Sequence, residues 1–436
     1  MESSSIEYNA KAASPLVNGD AVLKITDKGL MLTTTFDTAE VPFCDMNELS
    51  LANYVITLKA DSGDYVFSMM GNWCQPFHDA LSEAYNKAVL RSLFVKGAPI
   101  VTAKGYYSFS DVSGIAAGDA PVHVYGNCIV TLPPDLNAKR VPLCFARGLD
   151  KGDFQMTLTL DTGEKYLWGR LGYETAPFTE AVEKQIRALR EKTLAAVKEI
   201  DPTIDTAQAS KLANLVPQGA AASLGQLAAI SPSFATALEN KIADTRAAET
   251  YKYFKSICDP SKLYIGFRKN ADAEEGDTEG NTEGTVLSVP TNQGDGPFDR
   301  QEAGVVQMDG FAAPEFEEVA DETPDPYLLW LIAPSPDGQY AAVEFAEPNS
   351  ATFVYRTGGD FDGFAGKLNK ALEAIDFKRE VIRLTDDELR KPENADYYMA
   401  AKRTAALGFI RANFKGRAIH SNPDAWKRKV NELWGS

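Results

Sequence analysis

An internal repeat with an offset of about 100 residues limits the folds open to this chain of 436 residues. The stretch Val41–Cys44 recurs as Val141–Cys144, and at the same offset 8 of the 23 residues in Val41–Gly63 are identical. Average composition would give roughly one or two identities. With one inserted residue the match continues at four further pairs: Gly71 and Gly172, Pro76 and Pro177, Phe77 and Phe178, Ala80 and Ala181. The chain therefore contains one module of about a hundred residues at least twice in tandem.

Both copies predict the same order of elements. Apolar and polar residues alternate along each copy, which predicts a strand with one buried and one solvated face, as in an antiparallel sheet. The residues expected on the buried faces are Tyr54, Ile56, Leu58 and Ala60 in one copy and Phe154, Met156, Leu158 and Leu160 in the other. A turn containing Gly63 or Gly163, a second strand and a helix beginning near Pro76 or Pro177 complete the pattern. The fold class predicted is α+β, with antiparallel-sheet modules that are each closed by a C-terminal helix.

The remaining chain is divided by the same criteria. A third, degenerate copy is predicted over Lys262–Ala374, because an apolar strand at Ala351–Thr357 precedes a helix with apolar residues at helical spacing. The predicted division is a first module at 1–98, a second at 99–200, a helical linker at 201–260, a third module at 261–380 with an acidic loop at 271–325, and C-terminal helices at 381–436. In the linker, one helix is expected to run from Ser231-Pro232 to about Lys255; the C-terminal helices are expected at 395–413 and 422–434, after a capping box at Thr385–Glu388.

The charge is concentrated in one segment. The formal net charge is -17, and residues 271–325 contain 16 Asp and Glu against one Arg, which accounts for 15 of the negative charges. Most of this acidic segment is expected to be disordered, because it has too little apolar surface to bury. An acidic chain repels phosphate backbones, so nucleic acid is not expected as the main partner.

The cysteines and the apolar runs bear on location. The count of five is odd and no C-x-x-C pair occurs, which favours reduced thiols in a reducing compartment, and we therefore predict a cytoplasmic protein. The N-terminal stretch has no secretory signal pattern. The longest uncharged run, Leu212–Leu238, is interrupted by Pro217 and Pro232 and favours buried helices over a membrane span.

A run of antiparallel strands closed by one helix resembles the pleckstrin-homology-like (PH-like) roll. The resemblance covers 6–94, 106–200 and, in the degenerate copy, 262–374, and it implies binding of phosphoinositides, peptides or other proteins. Members that bind phosphoinositides use basic residues near the first hairpin. Here that region offers only Lys24 and Lys28, and the second copy offers His123 without a lysine. The resemblance therefore favours the protein-binding side of the family.

Two groups of cysteines are candidates for chemistry. Cys44 and Cys144 occupy equivalent positions, which allows a paired redox or ligand role, but a small buried apolar residue on the same strand of each copy is the favoured interpretation. Cys74 and His78 place a thiol near an imidazole, without a third group that would orient the base. The second copy lacks this pair, so catalysis by it is not predicted.

Three other groups of residues are candidates for a functional role. Asp360 and Asp362 could bind a cation, but turn and helix-cap chemistry is favoured. The basic cluster 427–429 could touch nucleic acid or an anionic surface, but a solvated helix face is favoured. Trp73, opposite Tyr173 and Phe361, is expected to anchor the junction between strand and helix.

The leading functional hypothesis is a non-catalytic protein-interaction scaffold that binds a protein partner or itself through exposed sheet edges or module faces. No signature of a metalloprotease, serine hydrolase, P-loop NTPase or Rossmann enzyme occurs, and no catalytic, cofactor-binding or metal-binding residue is assigned. Three alternatives stay open: an enzyme or small-ligand binder with a cleft between modules, a peripheral membrane binder, and self-inhibition by the acidic segment folding onto the mildly basic tail. This tail, residues 384–436, has 10 Lys and Arg against 7 Asp and Glu.

Overall fold

The computed structural model describes residues 6–111, 114–269, 326–347 and 351–435. The described residues form an α+β structure with three antiparallel sheets. The predicted acidic loop at 271–325 lies outside the described residues.

The first sheet has seven strands and is followed by one helix. In chain order the elements are β1 (Glu7–Ala13), β2 (Asn18–Ile25), β3 (Gly29–Thr33), β4 (Thr38–Pro42), β5 (Met46–Ala52), β6 (Val55–Ala60), β7 (Gly63–Ser68) and α1 (Cys74–Ser92). The strand order is β4-β3-β2-β1-β7-β6-β5, so the first and last strands pair and the sheet curls back on itself. The buried residues Phe77, Leu81, Tyr85 and Val89 recur every four positions on α1 and form one apolar stripe against the sheet.

The second sheet repeats this arrangement. Its elements are β8 (Val101–Asp111), β9 (Gly114–Val124), β10 (Cys128–Thr131), β11 (Lys139–Pro142), β12 (Ala146–Lys151), β13 (Gln155–Leu160), β14 (Lys165–Gly169) and α2 (Thr175–Ile200). The order β11-β10-β9-β8-β14-β13-β12 corresponds strand for strand to that of the first sheet.

The register of the two sheets is also the same. Leu49 lies opposite Leu58, and Leu149 lies opposite Leu158. Each fifth strand has an irregularity at its start, between Met46 and Glu48 in one copy and at the equivalent position in the other. A short 3₁₀ turn precedes that strand in both copies. The sequence repeat therefore corresponds to a repeat in the structure, while the exact module boundaries stay predictions.

Two details of the predicted pattern are wrong. Tyr54 and Phe154 were expected on buried faces, but they are 77% and 75% exposed. Asn53 and Tyr54 both have positive φ, 51° and 61°, because the chain reverses there in a two-residue turn before β6 begins. The predicted anchor at the strand-to-helix junction is wrong for the second copy, where Tyr173 is fully exposed. In the first copy Trp73 is 60% exposed, and its ring contacts the buried ring of Tyr8 with 6.1 Å between the centroids.

The segment 201–260, predicted as a linker, is mainly helical. It contains α3 (Thr206–Leu215), α4 (Leu224–Ile230), α5 (Pro232–Ala243) and α6 (Ala248–Ile257). The hydroxyl of Ser231 caps α5 and accepts a hydrogen bond from the amide of Phe234. The single helix expected from Ser231-Pro232 to Lys255 is wrong, because the chain turns at 244–247 between α5 and α6.

The third sheet combines strands that are distant in sequence. Its strands and the helices around them are β15 (Ala222–Ser223), β16 (Tyr264–Lys269), β17 (Tyr327–Pro334), β18 (Tyr340–Phe345), β19 (Ala351–Arg356), α7 (Phe361–Ala374), α8 (Glu380–Arg383), α9 (Asp386–Leu389), α10 (Ala395–Arg403), α11 (Ala405–Asn413), β20 (Phe414–Ile419) and α12 (Pro423–Trp434). The described strands are ordered β15-β16-β17-β18-β19-β20, which differs from the order in the other two sheets. The predicted strand and helix before Ala374 are present, but β19 pairs with β20 from the C-terminal region and not with an opening strand. A third copy of the module stays a prediction.

The C-terminal region differs from its prediction in two respects. The helix expected at 395–413 is interrupted at Thr404, which has extended backbone angles, and β20 was not predicted. The capping box at Thr385 and Glu388 and the cap of α12 by Asn422 are confirmed.

Candidate functional site

Each of the first two modules has a groove between its fifth strand and its C-terminal helix. In the first module, β5 and α1 form the walls, and other parts of the chain fill the groove. The amide of Leu49 donates a hydrogen bond of 2.8 Å to the carbonyl oxygen of Pro134, which belongs to the loop between β10 and β11. This contact is of the kind that an added strand makes with a sheet edge.

The helix α10 covers the rest of the groove in the first module. Met399 is 1% exposed and packs in the core of the first module. Lys402 Nζ donates to the carbonyl oxygen of Cys44 at 3.1 Å, and Arg403 donates to the carbonyl oxygen of Met46 at 3.3 Å. Apolar burial and charged contacts therefore hold α10 on this module.

Asp61, in the turn between β6 and β7, anchors α10 electrostatically. It accepts hydrogen bonds from Lys402 Nζ at 3.0 Å and from the hydroxyl of Tyr398 at 2.7 Å. Burial alone would raise the pKa of Asp61, but hydrogen bonds from Asn47, Tyr398 and Lys402 outweigh it and lower this pKa. Burial and the Asp61 carboxylate raise the pKa of Tyr398 to about 12. At neutral pH this contact thus joins a carboxylate to a neutral phenol and an ammonium group.

In the second module the corresponding groove is accessible from outside. A cavity of ≈ 270 Å³ separates β12 from α2. Its lining comes from the region of β12, from α2 and from the α3 region, and includes Ala146, Arg147, Leu149, Ile186, Leu189, Arg190, Asn214 and Pro217. At the 101-residue offset between the helices, Ile186 takes the place of Tyr85, whose hydroxyl contacts Arg403 in the filled groove. The cavity therefore lies where the first module holds its internal segments.

The edge of β12 offers a backbone donor at the equivalent position. Leu149 has the register of Leu49, so its amide points away from β13. Among the described residues no hydrogen bond to this amide is found. Leu49 is 3% exposed, whereas Leu149 is only half-buried. The difference between the two leucines reflects the cover that α10 and the Pro134 loop give to the first module.

The charges around this groove are mainly positive. Arg147 is exposed on β12. Arg190 Nε donates to Asn214 Oδ1 at 2.7 Å, which holds the guanidinium at the groove wall. The one carboxylate in the lining, Asp161, accepts a contact of 3.2 Å from Lys370. The groove thus favours a ligand that brings a carboxylate to two guanidinium groups.

The two equivalent cysteines lie near these grooves but are not activated. Cys44 and Cys144 lie in the 3₁₀ turns before β5 and β12 and not on a strand, which corrects the predicted position. Burial and the Asp45 carboxylate raise the pKa of Cys44 to about 11, and burial with the charge of Glu373 raises that of Cys144 well above its usual value. A raised pKa disfavours the thiolate, which is the reactive form.

The other cysteine candidate is not arranged for nucleophilic chemistry either. Cys74 is 1% exposed at the start of α1, and burial raises its pKa. The ring of His78 contacts Asp79, with 3.4 Å between Nδ1 and Oδ1. In the described part of the chain no hydrogen bond joins Cys74 to His78. All five cysteines are free thiols.

The remaining candidates have structural contacts. Asp360 caps α7 by accepting a hydrogen bond from the amide of Gly363, and Asp362 accepts one of 2.8 Å from the hydroxyl of Tyr264. No group of three or more His, Cys, Asp or Glu side chains that could hold a metal ion occurs in the described residues. His123 Nδ1 lies 3.0 Å from Thr102 Oγ1, and burial lowers the pKa of His123.

The basic cluster 427–429 lies on α12, with Arg428 and Lys429 exposed and Lys427 partly buried. Lys429 pairs with Glu432 at 2.9 Å, and Lys427 lies 5.5 Å from the centre of the Tyr253 ring. Lys24 and Lys28 lie on β2 and in the turn after it. Within the described ranges no helix is both long and apolar enough to cross a bilayer.

Comparison with known proteins gives no assignment. Neither the protein-family models nor the curated protein sequences match this chain.

Sequence reasoning missed the groove. The repeat aligns Leu49 with Leu149, but the sequence carries no local signal that residues near 134 and 399–403 cover only the first of these positions.

Proposed function

We propose that this protein is a non-catalytic binding protein built of PH-like modules, and that its second module binds an extended peptide of a partner protein along β12. The order of seven strands with a closing helix, present in both modules, supports the PH-like assignment. Exposed sheet edges of this kind bind peptides through main-chain hydrogen bonds.

One observation carries the proposal. The chain itself fills the groove of the first module: the carbonyl oxygen of Pro134 accepts a hydrogen bond from the amide of Leu49, and the side chain of Met399 packs in the core. The second module has the same edge, the same register and a cavity at the same place. The first module therefore serves as a model for how the second module holds its partner.

The chemistry of the groove defines the peptide. Its main chain supplies a carbonyl oxygen to the amide of Leu149. An apolar side chain enters the cavity beside Ile186 and Leu189, and an acidic residue approaches Arg147 and Arg190. The partner is thus an extended segment in which an apolar residue lies near an Asp or Glu.

The test selects binding peptides from a random displayed library with the full-length protein as the target. The selected peptides are then synthesised, and their binding is measured by fluorescence polarisation. Leu149→Pro removes the amide donor, and proline is tolerated on an edge strand where that donor faces outward. Leu149→Ala removes a similar amount of side chain but keeps the amide, and it serves as the matched control. We expect Leu149→Pro to weaken binding by about tenfold relative to Leu149→Ala.

A charge reversal tests the second element of the proposal. Arg147→Glu is expected to weaken binding of the selected peptides by about tenfold. Lys151→Glu, on the same strand but outside the cavity lining, is expected to weaken it much less. Equal binding to Leu149→Pro, Leu149→Ala and wild type would show that the peptides bind elsewhere and would reject the groove as the site.

A further inference from the structure

A second cavity lies where the second module, α7 and the junction of α10 with α11 meet. It has a volume of ≈ 80 Å³. Its lining includes four cationic side chains and two carboxylates: Lys139, Arg140, Lys370, Arg403, Asp111 and Glu164. Six charged side chains therefore meet in one small cavity.

The two arginines of this cavity have unused hydrogen-bonding capacity. Arg403 is 5% exposed, and its terminal nitrogens donate to the carbonyl oxygens of Met399 and Met46 and to the hydroxyl of Tyr85. Its Nε has no hydrogen-bond partner, and no carboxylate of the described residues lies within salt-bridge distance of it. A buried guanidinium without a carboxylate is costly unless an anion compensates it.

The second arginine of the cavity lining is Arg140. Its side chain is 2% exposed, and its Nε also has no hydrogen-bond partner. Its nearest carboxylate is Glu373 at 3.6 Å, which also pairs with Arg268 at 3.1 Å. Asp376 pairs with Arg268 at 2.7 Å, so Glu373 is the counter-charge of Arg140, but its carboxylate lies beyond hydrogen-bond distance of that guanidinium.

The carboxylates of the lining are already held by lysines. Lys370 lies 2.6 Å from Glu164 Oε2 and also contacts Asp161, and Lys139 pairs with Asp111. The Lys370 contact lowers the pKa of Glu164 against the opposing effect of burial. Two lysines thus face three carboxylates, and the donors left for an anion are the unpartnered Nε atoms of Arg140 and Arg403.

A larger cavity of ≈ 520 Å³ adjoins the small one. Asp111, Glu164, Lys370 and Ala406 line both cavities. The larger one adds the apolar side chain of Phe409, with Lys367 Nζ 4.2 Å from the centre of its ring. Its size is in the range of pockets that hold small organic ligands.

We infer that this pair of cavities binds a small organic phosphate, with its phosphate group beside Arg140 and Arg403 and its apolar part against Ala406 and Phe409. The inner cavity has room for one compact oxyanion, and the planar guanidinium groups supply the donors that phosphate prefers. This inference is independent of the peptide groove, because no residue lines both that groove and this pair of cavities.

The test is isothermal titration calorimetry of the full-length protein with hexyl phosphate, inorganic phosphate, hexanoate and hexanol. Hexyl phosphate is expected to bind about tenfold or more tightly than inorganic phosphate, and hexanol is expected not to bind detectably. Equal binding of hexanol, or binding of no probe at all, would overturn the inference. Hexanoate binding as tightly as hexyl phosphate would overturn the choice of phosphate.

Variants locate the site. Arg403→Gln is expected to weaken the binding of hexyl phosphate by about tenfold or more. Lys402→Gln, which removes the adjacent charge on α10 but lies outside the lining, is the matched control and should bind as wild type does. Ala406→Leu narrows both cavities without changing charge, so it tests the site even if Arg403→Gln fails to fold. Unchanged binding to Ala406→Leu would overturn the inference.

A sedimentation arm separates a free phosphate from a lipid headgroup. Vesicles of phosphatidylcholine with phosphatidic acid should not pellet the protein, because Arg140 and Arg403 are both buried. Pelleting that Arg403→Gln abolishes would overturn the assignment to a soluble organic phosphate and favour a lipid.

Discussion

The aspartate of the repeated turn has the same role in both modules. Asp61 accepts a hydrogen bond from Lys402, and Asp161, at the equivalent position, contacts Lys370 at 3.2 Å. In each case the lysine comes from a helix far along the chain. The Asp that suits the turn between two strands also fixes the helix that packs over it.

The pH dependence of stability follows from the Asp61 contact. Its side chain is 28% exposed and its pKa is lowered in the folded state. A carboxyl with a lowered folded pKa adds stability above its unfolded pKa and loses that stability as pH falls through the folded value. We expect Asp61→Asn to lower the free energy of unfolding by about 1–2 kcal/mol at pH 7.

Urea denaturation from pH 7 downward measures this effect. The difference between Asp61→Asn and wild type should shrink as the pH falls below the usual Asp value of 3.8. Asp64→Asn, which changes an exposed carboxylate on the next strand, is the control and should stay close to wild type. A difference between Asp61→Asn and wild type that is the same at every pH would contradict the assigned charge contact.

Glycines on three elements differ in the space around them. A Cβ on Gly266 in β16 would lie 2.1 Å from the indole of Trp330, whereas a Cβ on Gly366 in α7 or Gly408 in α11 would have no heavy atom within 4 Å. Gly266→Ala is therefore expected to destabilise the protein by about 1–3 kcal/mol. Gly366→Ala and Gly408→Ala should each stabilise it by about 0.5–1 kcal/mol, because alanine loses less backbone entropy in a helix. Thermal unfolding followed by circular dichroism measures both the expected loss and the expected gains in stability. A stabilising Gly266→Ala would contradict the packing described for β16.

Local signals predicted the elements that local sequence determines. The repeat and the alternating pattern predicted β6, β13 and the helices after them, because burial of one face and a glycine turn are encoded within a few residues. The pattern failed at Tyr54, where a turn with positive φ stops the alternation.

Elements that depend on distant partners were not predictable in this way. β20 becomes a strand by pairing with β19, more than fifty residues earlier in the chain. The candidate groove depends on longer separations still, because α10 and the Pro134 loop cover the first module and leave the second one accessible. The sequence shows which residues are equivalent in the two modules, but it does not show which of them other parts of the chain will cover.

At the scale of the whole molecule, the core of the first module is not made by that module alone. It includes Val130 and Leu132 from the second module and Met399 from α10. Deleting a buried methionine side chain costs about 2–5 kcal/mol. Because the second module supplies part of this core, we expect Met399→Ala to lower the free energy of opening for the slowest-exchanging amides in both seven-stranded sheets, and not only in the first.

Native-state hydrogen exchange measures this coupling strand by strand. Met156→Ala, which removes a methionine that is 1% exposed in the separate core of the second module, is the matched variant. If the body unfolds as one cooperative unit, both variants reduce protection in both sheets by similar free energies. If Met399→Ala reduced protection only in β1–β7 and Met156→Ala only in β8–β14, the two modules would unfold independently. The shared core would then not couple their stabilities. The first module fills its groove with distant parts of the same chain, so the coupled outcome is the one that its core contacts predict.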